Sequence, residues 1–189
     1  MMDFNEKEIV ESILSGDIEL FSMIVDKFKD PIFVFLYRLS LNEALAEELL
    51  QQTFLKVYKY LESADTEKGL KNWIYMIARN TFIDYIKKEN RIKSVSMEDF
   101  QFFLASKSST PETQAIKKSQ IDEVMEAIYS LPIKYSEIMI LRYVEEKTYE
   151  EIAEILGIPL GTVKIRLHRA KEKLRDMLLS TIGEIDGLS

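Results

Sequence analysis

The chain of 189 residues contains no cysteine and a single histidine, His168. Without cysteine there are no disulfides, no Cys-zinc sites and no thiol nucleophile, and one histidine excludes His-rich metal clusters. No apolar run approaches the roughly 18 residues needed to span a bilayer. The opening MMDFNEKEIVE is acidic and lacks the basic flank and apolar centre of a secretory signal. Proline and glycine are scarce, at four and six. Period-two alternation bounded by hairpin turns is absent, which removes the usual signature of strands. What is present, 47 % hydrophobic and 30 % charged residues, describes an ordinary globular protein. The expectation is an all-α, non-catalytic protein of the cytoplasm, with no membrane insertion, metal or cofactor.

The net charge of −7 is unevenly spread. Residues 159–175 hold Lys164, Arg166, Arg169, Lys171, Lys173 and Arg175 against Glu172 alone, a local +5. Residues 71–93 hold Lys71, Arg79, Lys87, Lys88, Arg91 and Lys93 against Asp84 and Glu89, a local +4. Local charge distribution governs attraction to a polyanion more than the total does. Two basic islands on an acidic body suit contact with DNA at two places.

Apolar spacing organises the chain into helices. Phe21, Ile24, Val25 and Phe28 form one set, and Ile32, Phe35, Leu36 and Leu39 repeat it after Pro31. Leu45, Leu49, Leu50, Phe54, Val57 and Leu61 mark a helix from about Asn42. Trp73, Ile74, Ile77, Ala78 and Tyr85 mark another. Pro31, Pro132 and Pro159 are each expected to precede or open a helical pattern, and Gly16, Gly69, Gly157, Gly183 and Gly187 to lie between or beyond helices. The Ser-containing stretch 94–111 interrupts the pattern and reads as a linker, with Phe100, Phe102, Phe103 and Leu104 available to dock on a domain or partner groove. Periodicity resumes with Ile121, Val124, Met125 and Ile128, then Tyr135, Ile138, Met139 and Leu141. The expected architecture is two small helical domains, 1–93 and 115–182, joined by a linker over 94–114.

The stretch TYEEIAEILGIPLGTVKIRLHRAKEKLR (148–175) is the most informative. Thr148 and Glu151 have the spacing of a capping box, which satisfies unpaired first-turn amides reciprocally. Ile152, Ala153 and Leu156 supply an inner face, and Gly157 suits the left-handed residue that ends a helix. The pattern is helix, tight turn, helix. At about 100° per residue, Leu167, Ala170 and Leu174 fall within roughly 40° of Val163 and form a core row. Lys164, Ile165, His168 and Arg169 occupy the opposite half, with Arg166 and Lys171 on the flanks. A helix that enters a major groove needs this arrangement: an apolar back, a centre for base edges, and flanking cations for phosphates. The competing reading is a basic amphipathic helix on a solvated surface.

GTVKIRLHRAKEKLR resembles the minus-thirty-five recognition helix of bacterial sigma factors of the extracytoplasmic-function (ECF) group. The resemblance implies that Lys164, Ile165, His168 and Arg169 face the groove, while Arg166 and Lys171 support backbone binding. Ile165 departs from the small hydroxyl residue usual there. An isoleucine offers apolar contact to a thymine methyl in place of a hydrogen bond.

AEELLQQTFLKVYKYL (46–61) resembles the helix by which sigma factors grip the clamp coiled coil of core RNA polymerase. Read from its residues alone, the helix leaves Glu47, Glu48, Gln51 and Gln52 together on its outer face, a surface of carboxylates and amides or simply a solvated one. The resemblance implies Glu48, Gln51 and Gln52 as the polymerase contacts, with Gln52 standing where an acidic residue is common. NWIYMIARNTFIDYIKKENR (72–91) resembles the helix that melts the promoter and reads the minus-ten element. Arg79, Asn80, Asp84, Lys87 and Lys88 supply donors and charges along it, with Trp73, Tyr75, Phe82 and Tyr85 interleaved. Trapping unstacked bases calls for apolar or aromatic walls and an amide that reads a base edge. The resemblance implies that Asn80 borders such a pocket and that the loop Glu62 to Gly69 forms its other wall. Trp73, lone in an apolar stripe, reads as a core residue.

The resemblance covers nearly the whole chain, and its compact members carry only these two domains and a linker. It implies a transcription initiation factor whose partners are core RNA polymerase (clamp coiled coil and flap), promoter DNA and an anti-sigma factor. A repressor or activator with a C-terminal helix-turn-helix and a helical regulatory domain is the rival; it would bind duplex operator without polymerase. An enzyme would need a nucleophile–base pair, phosphate loop or metal cluster, and no motif in the chain supplies one.

Overall fold

The computed structural model describes residues 5–93 and 120–186. Every regular element among them is helical. Packing divides the chain into two compact units, one reaching Tyr85 and the other holding most of the residues from Ile86 onward.

In the first unit, Asn5 caps α1 (Glu6–Leu14), its side-chain oxygen accepting from the amides of Lys7 and Glu8 at 3.2 and 3.5 Å. Ile9, Val10 and Ile13 form the buried face of α1. Gly16, at φ +117, turns the chain away in a conformation that L side chains rarely adopt. Helix α2 (Phe21–Ser40) buries Ile24, Phe28, Ile32, Phe35, Leu36 and Leu39. Pro31 lies inside this helix, so the expected break there does not occur. An interior proline costs about 3 kcal/mol because it removes one amide donor and crowds the preceding turn. Here it is exposed, while apolar rows before and after it are both buried. Each buried Ile, Leu or Phe contributes about 1.5–3 kcal/mol, so the two rows together outweigh the proline.

Leu41 reverses the chain in the left-handed region, at φ +51, and its amide donates to Tyr37 O at 2.7 Å. Asn42 then caps α3 (Glu43–Lys59), accepting from the Leu45 amide at 3.0 Å. The α3 core row is Leu45, Ala46, Leu49, Phe54 and Val57, and it packs along α2. Helix α4 (Leu70–Lys93) follows with Leu70, Ile74, Tyr75, Ala78, Phe82 and Ile86 buried, and the division between the units falls within it, after Tyr85. The rings of Phe35 and Tyr75 meet with centroids 5.0 Å apart.

One carboxylate ties three of these helices. Glu6 on α1 pairs with Lys27 of α2 at 2.8 Å and accepts from the Leu70 amide, at the start of α4, at 2.6 Å. A carboxylate at a helix N-terminus satisfies an orphan donor and complements the helix dipole. A Cβ at Gly69 would lie 3.3 Å from that carboxylate, and Gly69 also has φ +80. The next residue, Lys7, bridges to Glu67 at 2.8 Å, so α1 holds the loop between α3 and α4 at two points.

The next described elements, in the second unit, are α5 (Gln120–Ser130) and α6 (Ile133–Met139), the latter preceded by Pro132 as expected. Ile128, Leu131, Ile138, Met139 and Leu141 are buried, whereas Val124 is exposed and stands outside the core row expected for it. Past α6 the chain widens into a π turn, Ile140–Val144, where the Glu145 amide donates to Ile140 O at 2.9 Å. Glu146 follows at φ +53, and Arg142 closes the bend by donating to Lys147 O at 2.8 Å. Helix α7 (Tyr149–Leu156) and the long α8 (Leu160–Asp186) follow. Helix α8 continues through Gly183, which was expected to lie beyond it. The linker, with Phe100, Phe102, Phe103 and Leu104, lies outside the described residues.

Candidate nucleic-acid interface

The helix-turn-helix forms as its local chemistry dictates. Thr148 accepts from the Glu151 amide at 3.2 Å through its hydroxyl, and the Glu151 carboxylate accepts from the Thr148 amide at 2.8 Å, a complete capping box. Gly157 ends α7 at φ +64, and the amides of Thr162 and Val163 donate to Pro159 O as α8 begins. Val163, Leu167 and Ala170 are fully or nearly buried, with Leu174 half-buried behind them. On the opposite side Lys164, Ile165, His168 and Arg169 are all exposed. Ile165 is 57 % exposed, the one apolar side chain among the cations of this face.

The two flanking cations are held by protein partners. Arg166 turns inward and donates to Glu137 of α6 at 3.4 Å; the Glu137 side chain is only 2 % exposed. Lys171 lies 5.5 Å from the Tyr143 ring centre, and its hydrogen bond with Tyr143 raises its pKa above the usual lysine value. His168 stands 3.4 Å from Glu172, one turn along the exposed face. Neither Glu137 nor Tyr143 was singled out by sequence reasoning. They lie 29 and 28 residues from their partners, beyond the range of any local helical rule.

On α4, Asn80, Asp84, Lys87 and Lys88 are exposed and share one stripe at helical spacing. Arg79 is half-buried and donates to the Asn80 side-chain Oδ1 at 3.2 Å. That contact leaves the Asn80 amide nitrogen to donate elsewhere. Asp84 pairs with Lys56 of α3 at 3.4 Å. Of the four interleaved aromatics, Tyr75 and Phe82 are buried, which corrects their placement beside the polar stripe. They lie seven residues apart, two helical turns, and therefore share the core row. Trp73 and Tyr85 are half-buried, so Trp73 is less enclosed than a core tryptophan would be.

On α3, Glu47, Glu48 and Gln51 are exposed, and Gln52 is half-buried with its amide donating to Glu48 at 2.9 Å. The face continues to Leu55, which is 70 % exposed. Sequence reasoning passed over Leu55, although its spacing of seven from Glu48 places it on the same stripe. Among the described residues no cluster of His, Cys, Asp or Glu could hold a metal ion, and no helix is long and apolar enough to cross a membrane.

Comparison with known proteins agrees with this geometry. Residues 24–92 match the family described as Sigma-70 region 2, and residues 121–174 match Sigma-70, region 4. The ECF RNA polymerase sigma factor SigW of Bacillus subtilis is 32 % identical over 184 residues, 94 % of this chain and 98 % of that protein. SigM of the same organism is 31 % identical over 153 residues, covering 80 % and 91 %. Among solved structures, the sigma factor RpoE of Bartonella quintana, crystallised with the anti-sigma factor NepR, aligns with a TM-score of 0.61 at 27 % identity. That alignment covers 84 % of this chain and 96 % of the other. The chain belongs to the ECF sigma factors, the initiation factors that direct RNA polymerase to promoters.

Proposed function

We propose that the protein divides promoter recognition between two modules, residues 1–93 and 115–182, joined by a linker over 94–114. Lys164, Ile165, His168 and Arg169 meet base edges of the minus-thirty-five duplex, and Arg166 and Lys171 steady the helix on the backbone. Asn80 reads a base of the melted minus-ten strand, beside Arg79, Asp84, Lys87 and Lys88. Glu48, Gln51 and Gln52 hold the clamp coiled coil of core polymerase, and the second module reaches its flap. The protein works in the cytoplasm, performs no covalent chemistry, and is withheld by an anti-sigma factor, as the co-crystallised relative is held by one.

The observation that carries this reading is the division of α8 into a buried apolar row and an exposed row of cations and Ile165 within a capped helix-turn-helix. Reconstitution with core polymerase tests it: holoenzyme should open promoters that neither component opens alone. Glu48→Lys combined with Gln51→Ala should weaken core association while thermal stability stays near wild type. A polypeptide that binds duplex operator but ignores polymerase would be the rival repressor or activator.

A further inference from the structure

A recognition helix seated in a major groove has a phosphate strand along each flank. The two flanks of α8 are not equally supplied. One carries Lys164, Lys171 and Arg175, all exposed. The other carries the exposed Lys173 and Arg166, the latter's charge answered at 3.4 Å by the buried Glu137. On that side lies an open cleft of about 230 Å³ between α6 and α8, lined by Lys134, Tyr135, Thr162, Ile165, Arg166 and Arg169. No carboxylate is among its lining residues. The volume is several times the ~30 Å³ share of one water, so it admits a phosphate group with part of its hydration.

Two details give the cleft a direction. Lys134 is exposed, and its ammonium lies 5.1 Å from the centre of the Tyr135 ring; Lys173 of α8 lies 5.7 Å from the same ring. One aromatic ring thus holds a cation from each helix at the cleft. Ile165 and Arg169 belong both to this lining and to the exposed recognition row. A base edge against Ile165 therefore brings the adjoining backbone to the cleft mouth.

We propose that the α6–α8 cleft is a seat for one backbone phosphate of duplex DNA, to which Lys134 adds a cation from the helix before the helix-turn-helix, beside Arg166 and Arg169. The seat fixes the depth and angle of α8 in the groove and carries no sequence information. This rests on the assignment of α8 to duplex recognition and adds a contact from the helix that precedes the helix-turn-helix.

The test uses holoenzyme and two duplexes of equal length: one selected for binding by the wild type and one scrambled. With Lys134→Gln, the slope of log K against log salt should fall by about 0.9, the value of one released counterion. The loss should be the same on both duplexes, and Lys134→Arg should restore the slope. A methylphosphonate scan of the selected duplex should find one neutralised phosphate that weakens the wild type and leaves Lys134→Gln unaffected. An unchanged slope overturns the proposal, as does a loss confined to the selected duplex, which would make Lys134 a base reader. Should wild-type holoenzyme fail to distinguish the two duplexes, the duplex-reading assignment itself falls; should it distinguish them while Lys134→Gln keeps the wild-type slope, only the phosphate seat does.

Discussion

The cationic surfaces of α4 and α8 carry similar local charge and are built in opposite ways. On α8 Arg166 is anchored by a buried carboxylate and Lys171 lies beside the Tyr143 ring, while the centre of the face is left open. On α4 the polar stripe mixes signs, with Asp84 spanning to Lys56, and an arginine guanidinium holds the Asn80 carbonyl. Duplex DNA presents two fixed rows of phosphate, and a rigid frame of cations suits it. A separated strand has no fixed shape, and an amide within a stripe of mixed charge suits that better. Net charge alone does not tell these surfaces apart; the anchoring of each cation does.

The comparison breaks most visibly at Glu137. Replacement by Ala leaves Arg166 half-buried without its carboxylate, and removal of one partner from a buried pair typically costs about 3–5 kcal/mol. Arg166 retains some solvent, so the low end is expected, read as a lower thermal midpoint of the full chain. An unchanged midpoint would mean that the frame on α8 is ornamental. Arg169→Ala comes next, with a loss of about 1–3 kcal/mol in duplex binding and an altered base preference. An equal loss on every sequence would move Arg169 from base edge to phosphate.

Asn80→Ala sharpens the other side. It should leave minus-thirty-five binding intact and weaken open-complex formation by about 0.5–1.5 kcal/mol, the net value of one hydrogen bond. Normal opening, followed by the reactivity of unpaired bases, would remove Asn80 from the reading pocket. Asp84→Asn is the mildest change. The Asp84–Lys56 pair is exposed, and such pairs contribute about 0–1 kcal/mol, so stability should hardly move. Losing a negative charge should strengthen holoenzyme binding to single-stranded DNA at low salt, with the gain vanishing as salt rises. A salt-independent effect would mean that Asp84 acts through shape.

The parts legible in the sequence are those decided by near neighbours. Thr148 with Glu151, Asn42 before α3 and Gly157 after α7 each act within four residues, and each stands where local rules put it. The core row of α8 followed from periodicity alone. Pro31 misled because proline's local cost is real, yet a long α2–α3 contact overrides it. Tyr75 and Phe82 alternate with polar residues along the sequence, yet their spacing of seven places them inside. The π turn left no mark in the sequence because it depends on how Arg142 and Glu146 close a bend. The Glu137–Arg166 pair and the α6–α8 cleft required two distant helices to be placed together first.

Glu6 joins Lys27 and the first amide of α4, and the adjacent Lys7 holds Glu67. The first helix is thus a buttress for the segment assigned to the unpaired strand. A protease that clips the chain before Leu14 would discard both props in one cut, leaving the first amide of α4 without its carboxylate. Loss of promoter opening by nicking would then arise far from any nucleotide, with the groove-reading half still intact.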